Sequence, residues 1–151
     1  MIINDDSGIK KILETSKTIA VVGCSSKIER PAGYVPKFLQ ALGHRVIPVT
    51  PQENEILGEK CYTSLRDIPE PVDMVHCFRR AEFIPEIVED AIAIHAKTVW
   101  MQLEIVHAEA AERASAAGLK VVMDRCLLRE YNRLFPESIA EYYRLFPDRK
   151  K

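Results

Sequence analysis

A short segment after the first apolar run of the chain carries the residues best suited to chemistry. It reads Gly23-Cys-Ser-Ser-Lys-Ile-Glu-Arg-Pro-Ala-Gly33. Gly23 permits a tight turn and a close approach of backbone to a ligand. A helix predicted to start near Pro31 points its free N–H groups and positive dipole end at the same space, which suits a phosphate or pyrophosphate. The donors and cations available there are Ser25, Ser26, Lys27 and Arg30.

The segment does not match the G-x-G-x-x-G fingerprint of dinucleotide-binding proteins, so its glycines alone are a weak signal. The alternative is a plain connection between a strand and a helix, with its charges in solvent. Its position in the first strand–helix unit of the chain favours ligand binding.

The end of the second predicted strand argues against NAD as that ligand. An NAD-binding unit usually places Asp or Glu there to hold the ribose hydroxyls. This chain has Val49-Thr50-Pro51-Gln52 at that place, and Glu53 lies one residue beyond. NAD is therefore disfavoured. Because Glu53 lies so close, NAD(P) binding stays an alternative.

Five short apolar runs alternate with segments of helical spacing, which predicts a parallel sheet with helices between its strands. We predict a Rossmann-like, doubly wound α/β fold with three α/β/α layers and strand order 3-2-1-4-5. In that order the ligand site lies between strands one and four, at residues 23–33 and 102–106. Pro48 lacks a backbone donor, so the second strand should lie near an edge or be irregular. The strands are predicted at residues 18–23, 45–50, 72–78, 98–101 and 119–123.

Length and composition favour one globular domain with no strong charge. The 151 residues carry a net charge of −1, so nothing draws the chain to nucleic acid or an anionic membrane. No apolar run approaches the ~20 residues of a spanning helix, and a secretory signal is not expected. The cysteines form no C-x-x-C pair, so structural zinc and disulfides are not expected, and a reducing cytoplasm is the predicted compartment. They are Cys24, Cys61, Cys77 and Cys126.

A near-repeat stands close to the end of the chain. Glu130-Tyr-Asn-Arg-Leu-Phe-Pro136 recurs as Glu141-Tyr-Tyr-Arg-Leu-Phe-Pro147, and Pro136 should split it into two short helices. We predict one domain over residues 1–151, with its core at about 14–134 and a helical tail at 135–151. The repeat either packs on the sheet or makes a dimer contact. The rings involved are Tyr131, Phe135, Tyr142 and Phe146.

Several motifs in a fixed order resemble one family over roughly residues 14–134. The sequence resembles the stand-alone, YccU-like CoA-binding domain proteins, which are similar to the CoA-binding domain of succinyl-CoA synthetase α subunits. The resemblance implies a five-stranded Rossmann-like fold with CoA along the carboxyl edge, and it implies no activity. The motifs are Val21-Val-Gly23 with Ser26 and Arg30-Pro31, Arg45-Val-Ile-Pro-Val-x-Pro51, Glu55-Ile-Leu-Gly58-Glu, Ile68-Pro-Glu-Pro-Val-Asp73, Phe78-Arg79-Arg80, Trp100-x-Gln102 and Val122-Met-Asp-Arg-Cys126.

The resemblance also assigns roles to residues. Gln102 would approach the pantetheine arm, and family members often have glycine where this chain has Glu104. That glutamate would narrow the pantetheine path, supply an acid, or simply lie exposed in a loop. The pyrophosphate would contact Gly23, Ser25, Ser26 and Lys27, with Arg30 and Pro31 on either side. Thr50 and Pro51 would form the wall of the adenosine end. Phe78, Arg79 and Arg80 would stack on the adenine or pair with the ribose phosphate.

No catalytic constellation is visible in the sequence. His76 lies inside an apolar strand and is expected to be a satisfied core histidine, and the other histidines are dispersed. Cys24 adjoins the phosphate turn: either the helix and Lys27 lower its pKa, which would permit a disulfide with the CoA thiol, or it is simply buried. Cys126 offers the same alternatives. Synthetases similar to this domain use a phosphorylated histidine on a separate ligase domain, and no such segment is visible here.

The sequence therefore predicts a non-catalytic module that binds CoA or acyl-CoA as a carrier, a sensor or a partner subunit, and it leaves enzymatic activity open. The main alternative is a component of an acyl-CoA synthetase that needs a separate ligase chain. Neither a nucleic acid nor a membrane is an expected partner. A homodimer or an unidentified protein partner remains open.

Overall fold

The computed structural model describes residues 1–149, and its centre is a parallel sheet of five strands. A separate two-stranded hairpin lies between the second and third strands of that sheet along the chain. In chain order the strands are β1 Thr18–Val22, β2 Arg45–Val49, β3 Glu55–Ile56, β4 Glu59–Lys60, β5 Met74–Cys77, β6 Thr98–Met101 and β7 Lys120–Val122. The predicted fold class is confirmed.

The predicted strand order 3-2-1-4-5 is wrong. The order in the sheet is β2-β1-β5-β6-β7, so the third long strand pairs with β1 and β2 lies at the edge. The reason lies in Pro48, whose carbonyl faces away from β1 and accepts a 3.0 Å hydrogen bond from the amide of Tyr62. Its missing N–H would face the same side, where another strand would need it. The edge position predicted from Pro48 is correct.

Helices cover both faces of the sheet. The helices are α1 Asp6–Thr15, α2 Pro31–Ala41, α3 Ile84–Ala93, α4 Ala108–Ala116, α5 Leu127–Leu134 and α6 Ser138–Leu145, with 3-10 turns at Leu65–Asp67, Ala81–Phe83 and Pro147–Arg149. Helices α3 and α4 pack on one face, through residues such as Val88 and Ala111. Helices α1, α2 and α5 pack on the other, around Phe38 and Trp100. None of the helices described has both the length and the apolar character needed to span a bilayer.

Helix α1 is absent from the sequence-based prediction, although the sequence contains its signals. The Asp5 carboxylate caps the helix by accepting a 3.1 Å hydrogen bond from the amide of Gly8. Ile9, Ile12 and Leu13 follow at helical spacing and are buried. The segment before the helix continues the sheet, since the amide of Ile3 donates to the carbonyl of Val121 at 2.8 Å.

The repeated motif forms two short helices, α5 and α6, as predicted. Tyr131 and Tyr142 each make an edge contact with Phe38 of α2, with ring centroids 6.0 and 6.2 Å apart. Phe146 meets Tyr34 in the same way at 5.9 Å. These rings are thus used inside the chain, as the packing interpretation expects. The last two residues of the predicted tail, 150 and 151, lie outside the described residues.

Candidate functional site

The turn after β1 lies where the strand order of the sheet reverses. β1 pairs with β2 on one side and with β5 on the other. The chain leaves β1 toward β2 and leaves β5 toward β6, so these two connections run in opposite directions. Gly23 sits at this point with φ +86°, and its amide donates to the carbonyl of Val49 at 2.9 Å. A Cβ on Gly23 would lie 2.8 Å from the carbonyl oxygen of Phe78, so the site admits no side chain.

The loop beyond Gly23 is held by its own hydrogen bonds. The amide of Ser25 donates to the carbonyl of Ala32 at 3.1 Å, and the amide of Lys27 donates to Ser25 Oγ at 3.0 Å. The loop also lies directly against the first turn of α2, because a Cβ on Gly33 would stand 2.2 Å from the carbonyl oxygen of Lys27. Gly33 is therefore the residue that lets the loop and the helix N-terminus meet.

A cavity of about 460 Å³ opens at this turn. It is bounded by the loop after β1, the end of β2 and the segment after β5, so the three regions singled out in the sequence come together. Predicted site residues that line it are Gly23, Cys24, Ser25, Lys27, Arg30, Thr50, Pro51, Phe78 and Arg79, joined by Gln52 and Glu53. Predicted residues outside its lining are Ser26, Pro31, Arg80 and Gln102.

The segment after β2 turns back toward the loop and brings a carboxylate to it. Thr50 is buried, and its Oγ1 accepts a 3.1 Å hydrogen bond from the amide of Gln52. Glu53 follows, and its Oε2 accepts a 3.0 Å hydrogen bond from the amide of Ser26. Hydrogen bonds from Ser26, and then the charge of Lys27, lower the pKa of the Glu53 carboxyl below its ordinary value. Sequence reasoning noted Glu53 only as a residue beyond the strand end.

The arginines after β5 lie around one aromatic ring. The guanidinium carbon of Arg79 is 4.1 Å from the centroid of the Phe83 ring, and that of Arg80 is 5.7 Å away. Arg79 lines the turn cavity and also a second cavity of about 350 Å³, which continues toward Ser64 and Asp90. Arg79 thus stands between two neighbouring spaces, whereas Arg80 is exposed and lines neither.

Gln102 belongs to the core rather than to the cavity wall. It is 5% exposed, and its Oε1 accepts hydrogen bonds from His76 Nε2 at 2.8 Å and from the amide of Leu127 at 3.3 Å. His76 is fully buried, which lowers its pKa to about 4. The expectation of a core histidine holds for its burial. The expectation of a satisfied one does not, since Nδ1 has no hydrogen-bond partner within residues 1–149.

Cys24, the cysteine at the turn, is buried rather than activated. Cys24 is 3% exposed, and burial raises the pKa of its thiol to about 12. A lowered pKa at the turn is therefore not what the structure gives. Cys126 is buried as well, at 9% exposure.

Glu104 has the backbone conformation of a glycine. Its φ is +71°, and its amide donates to Asp124 Oδ1 at 2.7 Å. Asp124 also has a positive φ, of +58°. The side chain of Glu104 is exposed, so among the alternatives for this residue the structure favours a loop glutamate.

A larger cavity of about 600 Å³ lies at the opposite, amino-terminal edge of the sheet, around Asp73 and Lys97. Ligands of open parallel sheets bind beyond the carboxyl ends of the strands, so the smaller cavity at Gly23 is the better candidate. Residues 1–149 contain no group of three or more side chains arranged to hold a metal ion.

The fold and the turn together define a Rossmann-like α/β domain with a glycine turn at its switch point. The chain belongs to the CoA binding domain family, whose model matches residues 17–132. The uncharacterized protein YneT of Bacillus subtilis is 40% identical over 119 residues, which cover 79% of this chain and 88% of YneT. Acetate–CoA ligase [ADP-forming] I of Archaeoglobus fulgidus is 31% identical over 121 residues, but these cover 74% of this chain and only 18% of the ligase.

Two solved structures share this fold over most of the chain. A hypothetical protein from Pyrococcus horikoshii is 44% identical with a TM-score of 0.84, and the match covers 87% of this chain and 92% of that one. A protein from Thermus thermophilus is 39% identical with a TM-score of 0.83, covering 87% of this chain and 100% of that one.

Proposed function

We propose that this protein binds CoA or an acyl-CoA as a non-catalytic module, with the diphosphate at the Gly23 turn. The observation that carries the proposal is the cavity of about 460 Å³ at the switch point, lined by Gly23 together with Lys27, Arg30 and Arg79. The glycine admits backbone contact with a phosphate, and the cations offset its charge. Family membership supports CoA as the nucleotide.

Arg79 is the cation that the two adjoining cavities share, and Glu86 and Asp90 also line the second one. Lys27 and Arg30 lie beside the turn, where the diphosphate would bind. Arg79 stands between the cavities, so its guanidinium can pair with a ribose phosphate while it stacks on Phe83. Thr50 and Pro51 would wall the adenosine end, as the family resemblance implies. Pro31, Arg80 and Gln102 do not line the cavity. We place Pro31 and Arg80 at its rim and Gln102 beneath the path of the pantetheine arm.

The second candidate function is a subunit of an acyl-CoA synthetase that pairs with a separate ligase chain. It is favoured by the 31% identity with the Archaeoglobus fulgidus ligase, of which the matched part is 18%. An NAD(P)-binding role has less support, because residues 49–52 at the end of β2 include no carboxylate of the kind that usually holds the ribose hydroxyls of NAD. A homodimer or another protein partner stays open for either function.

We further propose a reducing, cytoplasmic setting without nucleic-acid or membrane partners. All four cysteines are free, and the net charge of −1 offers no general attraction to polyanions.

Calorimetry with CoA, acetyl-CoA, NAD and NADP tests the proposal directly. We expect heat of binding with CoA or acetyl-CoA and none with the nicotinamide nucleotides. Binding of NAD without binding of either CoA species would overturn the proposal. Addition of a candidate ligase chain, ATP and an acyl substrate would separate a synthetase subunit from a stand-alone binding module.

Arg79→Ala and Arg30→Ala should each weaken CoA binding. Loss of one charge-assisted contact costs about 1.5–3 kcal/mol, which corresponds to a rise in Kd of roughly 10- to 150-fold. Arg129→Ala is the matched control, because Arg129 is exposed on α5 and lines neither cavity. Unchanged affinity in both cavity variants would remove these arginines from the site.

A further inference from the structure

Three successive amides of the loop after β1 have different partners. Those of Ser25 and Lys27 bond within the loop and the first turn of α2, to Ala32 O and Ser25 Oγ. The amide of Ser26 instead bonds to a distant part of the chain, 27 residues on, and its acceptor is the Glu53 carboxylate at 3.0 Å. The amide of Ser26 does not itself line the cavity, but it is already bound to a carboxylate that does.

The backbone after β2 brings the Glu53 carboxylate to the loop after β1, and nearby positive charge stabilises it at that place. Thr50 is buried and fixes the turn after β2 through its bond to the amide of Gln52. Glu53 lines the same cavity as Lys27 and Arg30, so it partly neutralises the cations that a phosphate would use. The lowered pKa of Glu53 agrees with this surrounding, because it means that the ionised form is the one stabilised.

The same carboxylate can also leave at little cost. Glu53 is only half-buried, and its hydrogen bonds with the loop all come from one residue, Ser26. A glutamate side chain has three rotatable bonds, and solvent can hydrate its charge once it swings outward. A diphosphate brings more charge and more acceptor oxygens than one carboxylate, so it is able to replace Glu53 at the amide.

We infer that Glu53 is a built-in competitor for the anion position of the turn, which a ligand phosphate must displace in order to bind. This inference rests on the proposed function, because it takes the turn to be the place of the CoA diphosphate. It makes Glu53 a residue that sets selectivity: strongly anionic ligands displace the carboxylate, and weakly anionic ones do not. The opposite role is a ribose clamp, in which a carboxylate after the second strand holds hydroxyls and helps binding.

Calorimetry on Glu53→Gln separates competition from clamping. Glutamine keeps the size of the side chain and an oxygen acceptor but removes the charge. We expect CoA to bind Glu53→Gln more tightly than wild type by about three- to tenfold, because a neutral amide oxygen holds the Ser26 amide less firmly than a carboxylate and no longer offsets the charge of Lys27. Glu55→Gln is the control for net charge, since Glu55 lies two residues away, is exposed and does not line the cavity. It should bind CoA like wild type.

A second probe, inorganic pyrophosphate, keeps the test independent of the identity of the nucleotide. Titration of both proteins, followed through the backbone amide resonances of Gly23 and Ser26, should show tighter binding to Glu53→Gln. If CoA binds wild type and Glu53→Gln equally well, or binds the variant more weakly, the competitor role is wrong and the proposed function stands. If neither protein binds CoA, the proposed function fails, and the pyrophosphate titration decides the role of Glu53. Equal or absent responses to pyrophosphate in both proteins would then overturn it.

Discussion

Gly23 is required for two separate physical reasons, its backbone conformation and the space around it. Its φ is +86°, which disfavours any residue with a side chain, and a Cβ would lie 2.8 Å from the Phe78 carbonyl oxygen. That oxygen is backbone at the end of β5, so it cannot move aside without disturbing the sheet. The turn thus depends on contact between two strand ends.

Gly23→Ala should therefore destabilise the protein by about 2–4 kcal/mol, which sums the cost of the left-handed conformation and of the clash. Gly58→Ala provides the matched control: Gly58 has a similar φ of +75°, but a Cβ at that position would have nothing within 4 Å. It should cost only about 1 kcal/mol. Urea denaturation of both variants measures the difference, and equal losses would show that contact with Phe78 has no energetic weight.

Sequence reasoning found the residues of the turn but not all of their partners. Gly23, Lys27 and Arg30 could be recognised because glycine, cations and a following helix are chemically informative by type. Glu53 could not be placed, because nothing in the periodicity of a loop states which way a side chain turns. Gln102 was expected near the ligand and lies in the core, since its bond with His76 forms across two neighbouring strands.

At the scale of elements, alternating strands and helices were predictable, but their lateral order was not fully derived. Pro48 already indicated an edge position for β2, and this position is incompatible with the order 3-2-1-4-5. Applied consistently, the missing donor would have moved the third long strand to the other side of β1. Helix α1 was missed for a different reason: its short apolar stripe at Ile9, Ile12 and Leu13 lies among charged residues.

The packing of the tail helices predicts that they contribute to stability rather than to assembly. Phe146 is 6% exposed and packs on Tyr34 and Tyr142, with the ammonium group of Lys37 over its ring at 5.8 Å. Phe146→Ala should lower the free energy of unfolding by about 3 kcal/mol, as for other buried aromatic truncations. Chemical denaturation measures this loss.

Ile139→Ala is the control within the same tail, because Ile139 on α6 is 37% exposed and should lose well under 1 kcal/mol, about the range for surface changes. Gel filtration of Phe146→Ala should show the elution volume of wild type. A changed oligomeric state with unchanged stability would instead support the dimer contact.

At the scale of the whole molecule, the strand order decides which loops meet. Because β1 lies between β2 and β5, the loop after β1 touches the segments that follow both neighbours, and one cavity collects residues from all three. In the order 3-2-1-4-5, the third long strand would be separated from β1 and Arg79 would lie away from the turn. The observed order therefore strengthens the link between the Phe78-Arg79 motif and the glycine turn.

The buried histidine at the centre of this sheet should make global stability depend on pH. His76 has a pKa of about 4 in the folded protein, below the ordinary value of 6.5, because burial disfavours its charged form. The unfolded chain therefore binds a proton on acidification before the folded protein does. Stability is full above pH 6.5 and is lost as the pH falls toward the folded pKa. Burial also lowers the pKa of His44, which adds a loss of the same sign.

Between about pH 7 and pH 5.5 carboxylates hardly titrate, so the histidines dominate the change in this window. His76 alone should lower the free energy of unfolding by about 1 kcal/mol across it. His76→Leu replaces the imidazole with an apolar side chain of similar size and leaves the hydrogen bond from the Leu127 amide to Gln102. Because the variant has no titrating group at this position, it should lose this part of the slope. Wild type, measured in the same way, provides the reference slope. Urea denaturation at the two pH values gives each slope, and a slope that persists in His76→Leu would contradict the assignment.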